Sequence, residues 1–136
     1  PYGQYGGGTG YHHMNALREV SLELFGDNCI QFVFWDVDTA DWVRTMTAQD
    51  VFTNMRAHQI GGRYYGFKLQ NGQYVKVPRT MQNPPQGGVV LQHDIHEKNI
   101  EATRLFIEWA KLNSVDLVTL PEIDEFAVKR ECRFLN

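Results

Sequence analysis

The sequence contains few cysteines and prolines and no long apolar run. Among its 136 residues are two cysteines and five prolines, which excludes a disulfide-rich scaffold and a proline-rich disordered segment. Cys29 and Cys132 are too far apart for a paired-cysteine zinc site, and one disulfide or two free thiols both remain open. No apolar stretch approaches the ~20 residues of a membrane-spanning helix. No signal peptide is visible either, because no charged start precedes an apolar stretch.

The chain carries no strong charge of either sign. Its 13 Lys and Arg against 16 Asp and Glu leave a net charge of −3, so it lacks the overall basic field of a nucleic-acid-binding protein. Residues 61–86 depart from this balance, with no acidic residue and these basic ones: Arg63, Lys68, Lys76 and Arg79. Either this segment is a solvated hairpin with aromatic residues packed inward, or the patch contacts an anionic or carbohydrate polymer.

Hydrophobic spacing and turn residues predict helices that alternate with short strands. Helical spacing covers 10–25, the capping-box pair Thr47 and Asp50 begins a helix to about His58, and Asn71-Gly72 predicts a hairpin over 63–77. The remaining predicted elements are buried strands at 29–35, 89–91 and 116–120, a helix with Ile100, Thr103, Ile107 and Ala110 on its apolar face, and a last helix from Pro121 with Ile123, Phe126 and Val128 as contacts.

This alternation predicts an α/β fold with a parallel sheet. Three buried strands are too few for a closed α/β barrel, which needs roughly 200 residues or more. The sheet is therefore either small and open or one part of a barrel. In both cases function is expected at the carboxyl ends of the strands, where polar clusters occur at 36–42 and 93–96.

An aspartate and a histidine at such strand ends form a candidate acid–base pair, because a nearby carboxylate favours the protonated imidazole. The residues that extend this pair into a motif set are Pro1-Tyr2-Gly3, then Asp38-x-x-Asp41-Trp42, then Leu91-x-His93 followed by Asp94-Ile95-His96. In order and spacing this set resembles the later motifs of the polysaccharide deacetylase family, which is built on the NodB homology domain. The resemblance runs through most of the chain.

The resemblance implies a role for each matching residue. His93 would be the general acid that protonates the leaving amine, Asp41 the carboxylate that orients and charges it, and Tyr2 the donor of a backbone N–H to the oxyanion. Trp42 and Leu91 would line the slot for the acetyl methyl and the sugar ring, and Pro1 would also belong to the substrate-binding residues.

The resemblance also implies a fold, a reaction and a location. Residues 1–136 would be the carboxyl-terminal part of a single NodB domain. The chain would therefore form part of a distorted (β/α) barrel, and residues 61–86 would be a β-hairpin inserted into it. The implied reaction is metal-dependent de-N-acetylation of an N-acetylglucosamine polysaccharide, with peptidoglycan favoured by the basic hairpin. Such a substrate implies a periplasmic or extracellular enzyme.

The family's Asp-Asp and His-x-x-x-His motifs do not occur in this sequence. The base and the ligands of the divalent metal, zinc by resemblance, are therefore expected outside this chain, on an amino-terminal part that could be a separate polypeptide. His12 and His13 do not replace the ligand motif, because adjacent helical residues diverge by ~100° and cannot both face one ion.

Three other hypotheses remain open. The chain could be a catalytically inactive carbohydrate-binding module of the same fold. Pro1 could act as an amino-terminal general base, as in small tautomerases. His93 and His96, with Asp94 turned inward, could form an independent metal site.

Overall fold

The computed structural model describes residues 12–127 and residue 132, so the predicted roles of Pro1 and Tyr2 lie outside the described residues. The chain divides into two compact units. The larger unit, Trp35–Leu117, contains Asp41 and His93. The smaller unit contains the described residues before and after it.

The smaller unit contains the predicted first helix, α1, observed at His12–Phe25. Ser21 is buried just before the helix ends, and its hydroxyl donates to the carbonyl of Asp27 and accepts from the backbone N–H of Cys29 at 2.6 Å. Cys29 is bonded to Cys132 in a disulfide. Of the two cysteine states that the sequence left open, the structure has the disulfide.

The predicted strand at 29–35 is wrong. Residues 28–35 form no strand, and Trp35, expected inside it, is exposed. A strand buried on both faces needs hydrogen-bonded neighbours and a layer on each side. Strand pairing begins only at Val37, after the predicted run has ended.

The predictions near the carboxyl end are also wrong. Residues 115–119 form no strand, and two short 3₁₀ turns, Leu120–Glu122 and Asp124–Phe126, replace the predicted last helix. Ile123 between the turns has extended backbone angles (φ −92°, ψ 119°), which interrupt the helical path. The predicted contact Val128 lies outside the described residues.

The larger unit contains a two-stranded parallel sheet. Strand β1 is Val37–Asp38 and strand β4 is Val90–Leu91, with Val37 opposite Val90 and Asp38 opposite Leu91. The strand predicted at 89–91 is therefore present, but Val90 is 38% exposed. Its predicted burial on both faces is wrong because, among the described residues, β4 has one strand neighbour and no strand on its other side.

Between these strands lie a helix and a hairpin, as predicted. Helix α2 spans Ala48–Ile60 and begins with the expected capping box of Thr47 and Asp50. Strands β2 (Gly62–Gln70) and β3 (Gln73–Met81) pair antiparallel along their whole length. Asn71 and Gly72 form the turn, and both have positive φ (50° and 75°), as a two-residue hairpin turn requires.

Helix α3, Glu97–Leu112, follows β4 as predicted, and the guanidinium of Arg104 lies 2.6 Å from the carboxylate of Glu108. Its predicted apolar face is partly wrong, since Ile100 is 66% and Ile107 37% exposed. The buried residues are Asn99, Ala102, Phe106 and Ala110. The core of the unit consists of Ala40, Val43, Met46, Val51, Phe52, Met55, Ala102 and Phe106.

The disulfide gives a first testable expectation. Cys29 and Cys132 close a loop of 103 residues, and removing the bond by serine substitution of both is expected to lower the free energy of unfolding by about 2–4 kcal/mol, because the unfolded chain gains freedom. Urea unfolding with and without reductant measures the difference. Reductant should destabilise the native chain and leave the Cys29→Ser/Cys132→Ser variant unchanged. Equal midpoints for all four samples would contradict the expectation.

The environment of His58 on α2 predicts a pH dependence of stability. Burial lowers the pKa of His58, although the nearby carboxylate of Asp36 acts in the opposite direction. The folded state therefore binds this proton more weakly than the unfolded state, whose histidine pKa is ~6.5. This contribution is complete above that pH and is lost as the pH falls towards the folded-state pKa.

Thermal unfolding of the native chain should therefore occur at lower temperature at pH 5.5 than at pH 7.5, and His58→Gln should reduce that difference. An unchanged pH slope in His58→Gln would show that His58 is not the source of this pH dependence.

Asp50 contributes its pH dependence in a more acid range. Burial raises the pKa of Asp50, but the hydrogen bonds of Lys76 and Thr47 outweigh burial and hold that pKa below its ordinary value.

Candidate active site

The site is built where β1 and β4 end side by side. After β1 the backbone turns sharply at Ala40 (φ 54°), whose N–H donates to the carboxylate of Asp38 at 2.8 Å. Thr39, fully buried, donates its hydroxyl to the carbonyl of Leu91 at 2.9 Å. The first bond closes the turn within this segment, and the second holds the segment against β4, so that the next residue, Asp41, reaches the segment that follows Leu91.

Asp41 and His93 meet there, as predicted. One carboxylate oxygen of Asp41 accepts from Nδ1 of His93 at 2.9 Å, and the other accepts from the backbone N–H of His93 at 2.6 Å. The carboxylate therefore fixes both the ring and the main chain of the same residue. Its side chain is 1% exposed, whereas that of His93 is 42% exposed.

This difference in burial gives the pair its chemical character. The buried carboxylate receives Nδ1–H, which leaves Nε2 as the ring nitrogen that can exchange a proton with a bound molecule. The arrangement suits a histidine that donates a proton to a leaving group and is held in one orientation while it does so.

Asn99, in the first turn of α3, is a site residue that the sequence analysis missed. It is 3% exposed, and its Nδ2 donates to the carboxylate of Asp41 at 2.7 Å and to the carbonyl of His93. Its Oδ1 is buried and has no hydrogen-bond partner among the described residues. Helical spacing offered a signal, since Asn99 lies three positions before Ala102 and seven before Phe106, on the buried stripe.

A second missed residue, Asn54 of α2, joins the site to the hairpin. Its Nδ2 donates to the carbonyl of Thr39 at 2.9 Å and to that of Tyr65 at 2.8 Å, and its Oδ1 accepts from the N–H of Tyr65 at 2.7 Å. One buried amide thus satisfies backbone groups of both the segment before Asp41 and strand β2. No sequence motif distinguishes this asparagine from a polar residue on an exposed helix face.

Trp42, predicted to line the substrate slot, lies in an aromatic cluster with the hairpin. Its ring centroid is 4.7 Å from that of Phe67 and 5.1 Å from that of Tyr74, both edge to face. Tyr74 is exposed. The hairpin therefore borders the position directly after Asp41. Leu91, the other predicted slot residue, is partly buried in β4.

The described residues do not fit a metal site. Within 12–127 and 132, no three His, Cys, Asp or Glu side chains are grouped as ligands. Asp94 and His96 are exposed, and the carboxylate of Asp41 is committed to donors of His93 and Asn99. The independent metal site considered above thus has no ligand cluster in this part of the chain.

None of the described helices is both long and apolar enough to cross a membrane.

Comparison of the chain with protein-family models, with curated proteins and with solved structures finds no match.

Proposed function

We propose that this chain supplies the general acid of a hydrolase that removes N-acetyl groups from N-acetylglucosamine units of a polysaccharide. The observation that carries the proposal is the pairing of exposed His93 with buried Asp41 at the ends of two parallel strands. The pairing combines the residues that the Asp-x-x-Asp-Trp and Leu-x-His motifs mark as a positioned carboxylate and its acid.

In the proposed reaction this chain supplies the general acid, and the base and the metal ligands come from polypeptide outside it. Water adds to the acetamide carbonyl, and the tetrahedral intermediate then breaks its C–N bond to release acetate. The amine leaves readily only when its nitrogen gains a proton, which Nε2 of the His93 imidazolium would donate. Asp41 would hold the ring in position for the transfer, while Nδ2 of Asn99 donates to the carboxylate of Asp41 and keeps it in place. The proposal assigns the base and the divalent metal, zinc by resemblance, to polypeptide outside this chain.

The proposal extends to the fold and location. The chain would be the carboxyl-terminal part of a NodB-type (β/α) barrel domain, with the β2–β3 hairpin as an insert between two barrel strands. The enzyme would act in the periplasm or outside the cell. The Cys29–Cys132 disulfide supports an oxidising compartment.

The decisive test is acetate release from N-acetylglucosamine oligomers by a native preparation whose polypeptides are identified by intact mass. A second polypeptide carrying Asp-Asp and His-x-x-x-His motifs is expected to be needed for activity. Zinc-dependent acetate release by the purified 136-residue chain alone would refute the assignment of base and ligands to another polypeptide. Glycan binding without acetate release in every preparation would favour the binding-module hypothesis.

In the active preparation, His93→Gln is expected to lower kcat by at least about 100-fold, because the leaving amine loses its proton donor. His96→Gln is the matched control, since it removes an exposed imidazole three residues away and should leave kcat nearly unchanged. Equal rates for the native protein and His93→Gln would contradict the proposed role.

A further inference from the structure

The β2–β3 hairpin has two faces with different neighbours. In an antiparallel pair, opposite residues share a face and successive residues alternate. Tyr65 and Phe67 therefore point to one face, and they pack against the core. The opposite face, here called the outer face, carries the cross-strand pairs Tyr64 with Arg79, Gly66 with Val77, and Lys68 with Val75.

The four basic side chains of residues 61–86 are divided between these faces. On the core-facing side, Lys76 forms a 2.6 Å ion pair with Asp50, and the guanidinium of Arg63 lies 5.1 Å from the ring centroid of Tyr65. Lys68 and Arg79 are on the outer face, where both are exposed. Neither has an ion-pair partner among the described residues. The outer face is therefore positively charged and has no carboxylate of its own.

Gly66 leaves space that the side chain of Arg79 occupies. A Cβ at Gly66 would lie 2.5 Å from Nε and 3.0 Å from Cδ of Arg79. The arginine side chain thus lies along the sheet, in the space that the missing side chain leaves. From this position the guanidinium can present its N–H groups to a carboxylate.

The hairpin itself is anchored to α2 and to the segment before it. Asn54 holds both backbone groups of Tyr65, and the N–H of Lys76 donates to the hydroxyl of Thr45 at 2.9 Å. A ligand that bound the outer face would meet a preformed surface, which reduces the entropy lost on binding.

We propose that the outer face, through Tyr64, Lys68 and Arg79, binds peptidoglycan, whose peptide stems place free carboxylates beside the glycan. This inference rests on the proposed function, which names a glycan as the substrate. The positive charge of the outer face is the reason for choosing a glycan polymer that carries carboxylates. Two separate cations suit discrete carboxylates. Nucleic acid is disfavoured because its tight binding depends on neutralising many phosphates, and the chain has a net charge of −3. Tyr64 offers an amphipathic ring beside Arg79 for contact with a sugar.

The test is co-sedimentation of the full 136-residue chain with insoluble peptidoglycan freed of attached anionic polymers, and with chitin as a neutral glycan. Lys68→Gln/Arg79→Gln is expected to weaken peptidoglycan binding about tenfold, which corresponds to ~1.4 kcal/mol for two exposed ion pairs. Its chitin binding should equal that of the native chain. The matched control is Arg18→Gln/Lys111→Gln, which removes two exposed cations elsewhere and should bind as the native chain does.

Gly66→Ala provides a second variant that keeps every charge. Its Cβ should displace the side chain of Arg79 and weaken peptidoglycan binding, while unfolding temperatures confirm that the hairpin remains folded. The proposal would be overturned if the native chain bound chitin and peptidoglycan equally well. It would also be overturned if Arg18→Gln/Lys111→Gln weakened peptidoglycan binding as much as Lys68→Gln/Arg79→Gln does. Tighter binding to single-stranded RNA than to peptidoglycan would overturn it in favour of a nucleic-acid surface.

The same sedimentation with His93→Ala separates this inference from the proposed function. Binding that persists in His93→Ala and falls in Lys68→Gln/Arg79→Gln supports the outer face, whatever the result for acetate release. Acetate release from peptidoglycan without any effect of the hairpin variants would leave the deacetylase proposal standing and reject the outer face.

Discussion

Replacing Asp41 with asparagine is expected to lower the free energy of unfolding by about 1–3 kcal/mol, because charge-assisted hydrogen bonds to a buried carboxylate are replaced by neutral ones. The carboxylate accepts from three donors: the N–H and Nδ1 of His93 and the Nδ2 of Asn99. An asparagine has one oxygen, which can accept from the N–H of His93 and the Nδ2 of Asn99, while its NH₂ faces Nδ1 of His93. Nδ1 must then act as the acceptor in the other ring tautomer, and the bonds to the former carboxylate lose their charge-assisted strength.

Urea unfolding of the 136-residue chain measures this effect directly. Asp38→Asn is the matched control on the same segment. Asp38 is exposed, and the amide oxygen of the introduced asparagine could still accept from the N–H of Ala40. That control should stay within about 0.5 kcal/mol of the native chain. His93→Gln removes the ring and keeps the backbone N–H that donates to Asp41, so it should be less destabilising than Asp41→Asn. A native-like midpoint for Asp41→Asn would show that the buried carboxylate does not hold the site together.

Replacing Asn54 with alanine is the second change with a large expected effect. Three backbone groups, the carbonyl of Thr39 and both polar groups of Tyr65, would lose their partner. At about 1–3 kcal/mol for each unsatisfied buried group, partly relieved by water at Tyr65, the expected loss of stability is about 3–5 kcal/mol. Acetate release in the active preparation should fall as well, because Thr39 positions the segment that leads to Asp41.

Two further variants sharpen this test. Asn54→Asp keeps the shape but sets a carboxylate oxygen against two carbonyls, so it should be as destabilising as alanine at neutral pH. Gln49→Ala removes an exposed amide from the same helix and should change stability by less than about 0.5 kcal/mol. Similar midpoints for Asn54→Ala and Gln49→Ala would mean that the asparagine does not join the hairpin to the site.

The sequence predicted those elements whose signals are local. Asn71-Gly72 determines a hairpin because both positions must adopt positive φ, which these two residues tolerate. The spacing of Thr47 and Asp50 marks the start of α2, because two side chain–backbone bonds form within four residues. The parallel sheet predicted only that the polar clusters at 36–42 and 93–96 lie at the same edge, whereas the specific pair of Asp41 with His93 came from the motif resemblance.

Features that depend on distant partners were not predictable in the same way. An apolar run such as 29–35 becomes a strand only when a neighbour accepts its hydrogen bonds, and no local pattern reports that neighbour. Asn99 and Asn54 are polar residues whose roles depend on backbone groups of other segments. For Asn99 the helical stripe with Ala102 and Phe106 held usable information, whereas the apolar side chains of Ile100 and Ile107 indicated the wrong face.

The shortness of the β1–β4 pairing has a consequence for local unfolding. The hairpin pairs nine residues of each strand, whereas β1 and β4 pair only two, across more than fifty residues of chain. The parallel pair should therefore open at a lower free energy than the hairpin, separating the two halves of the acid pair while most of the unit stays folded. Amide hydrogen exchange at Val37 and His93 should then be faster than at Tyr65. A ligand that spans both strand ends should slow exchange selectively at those two amides.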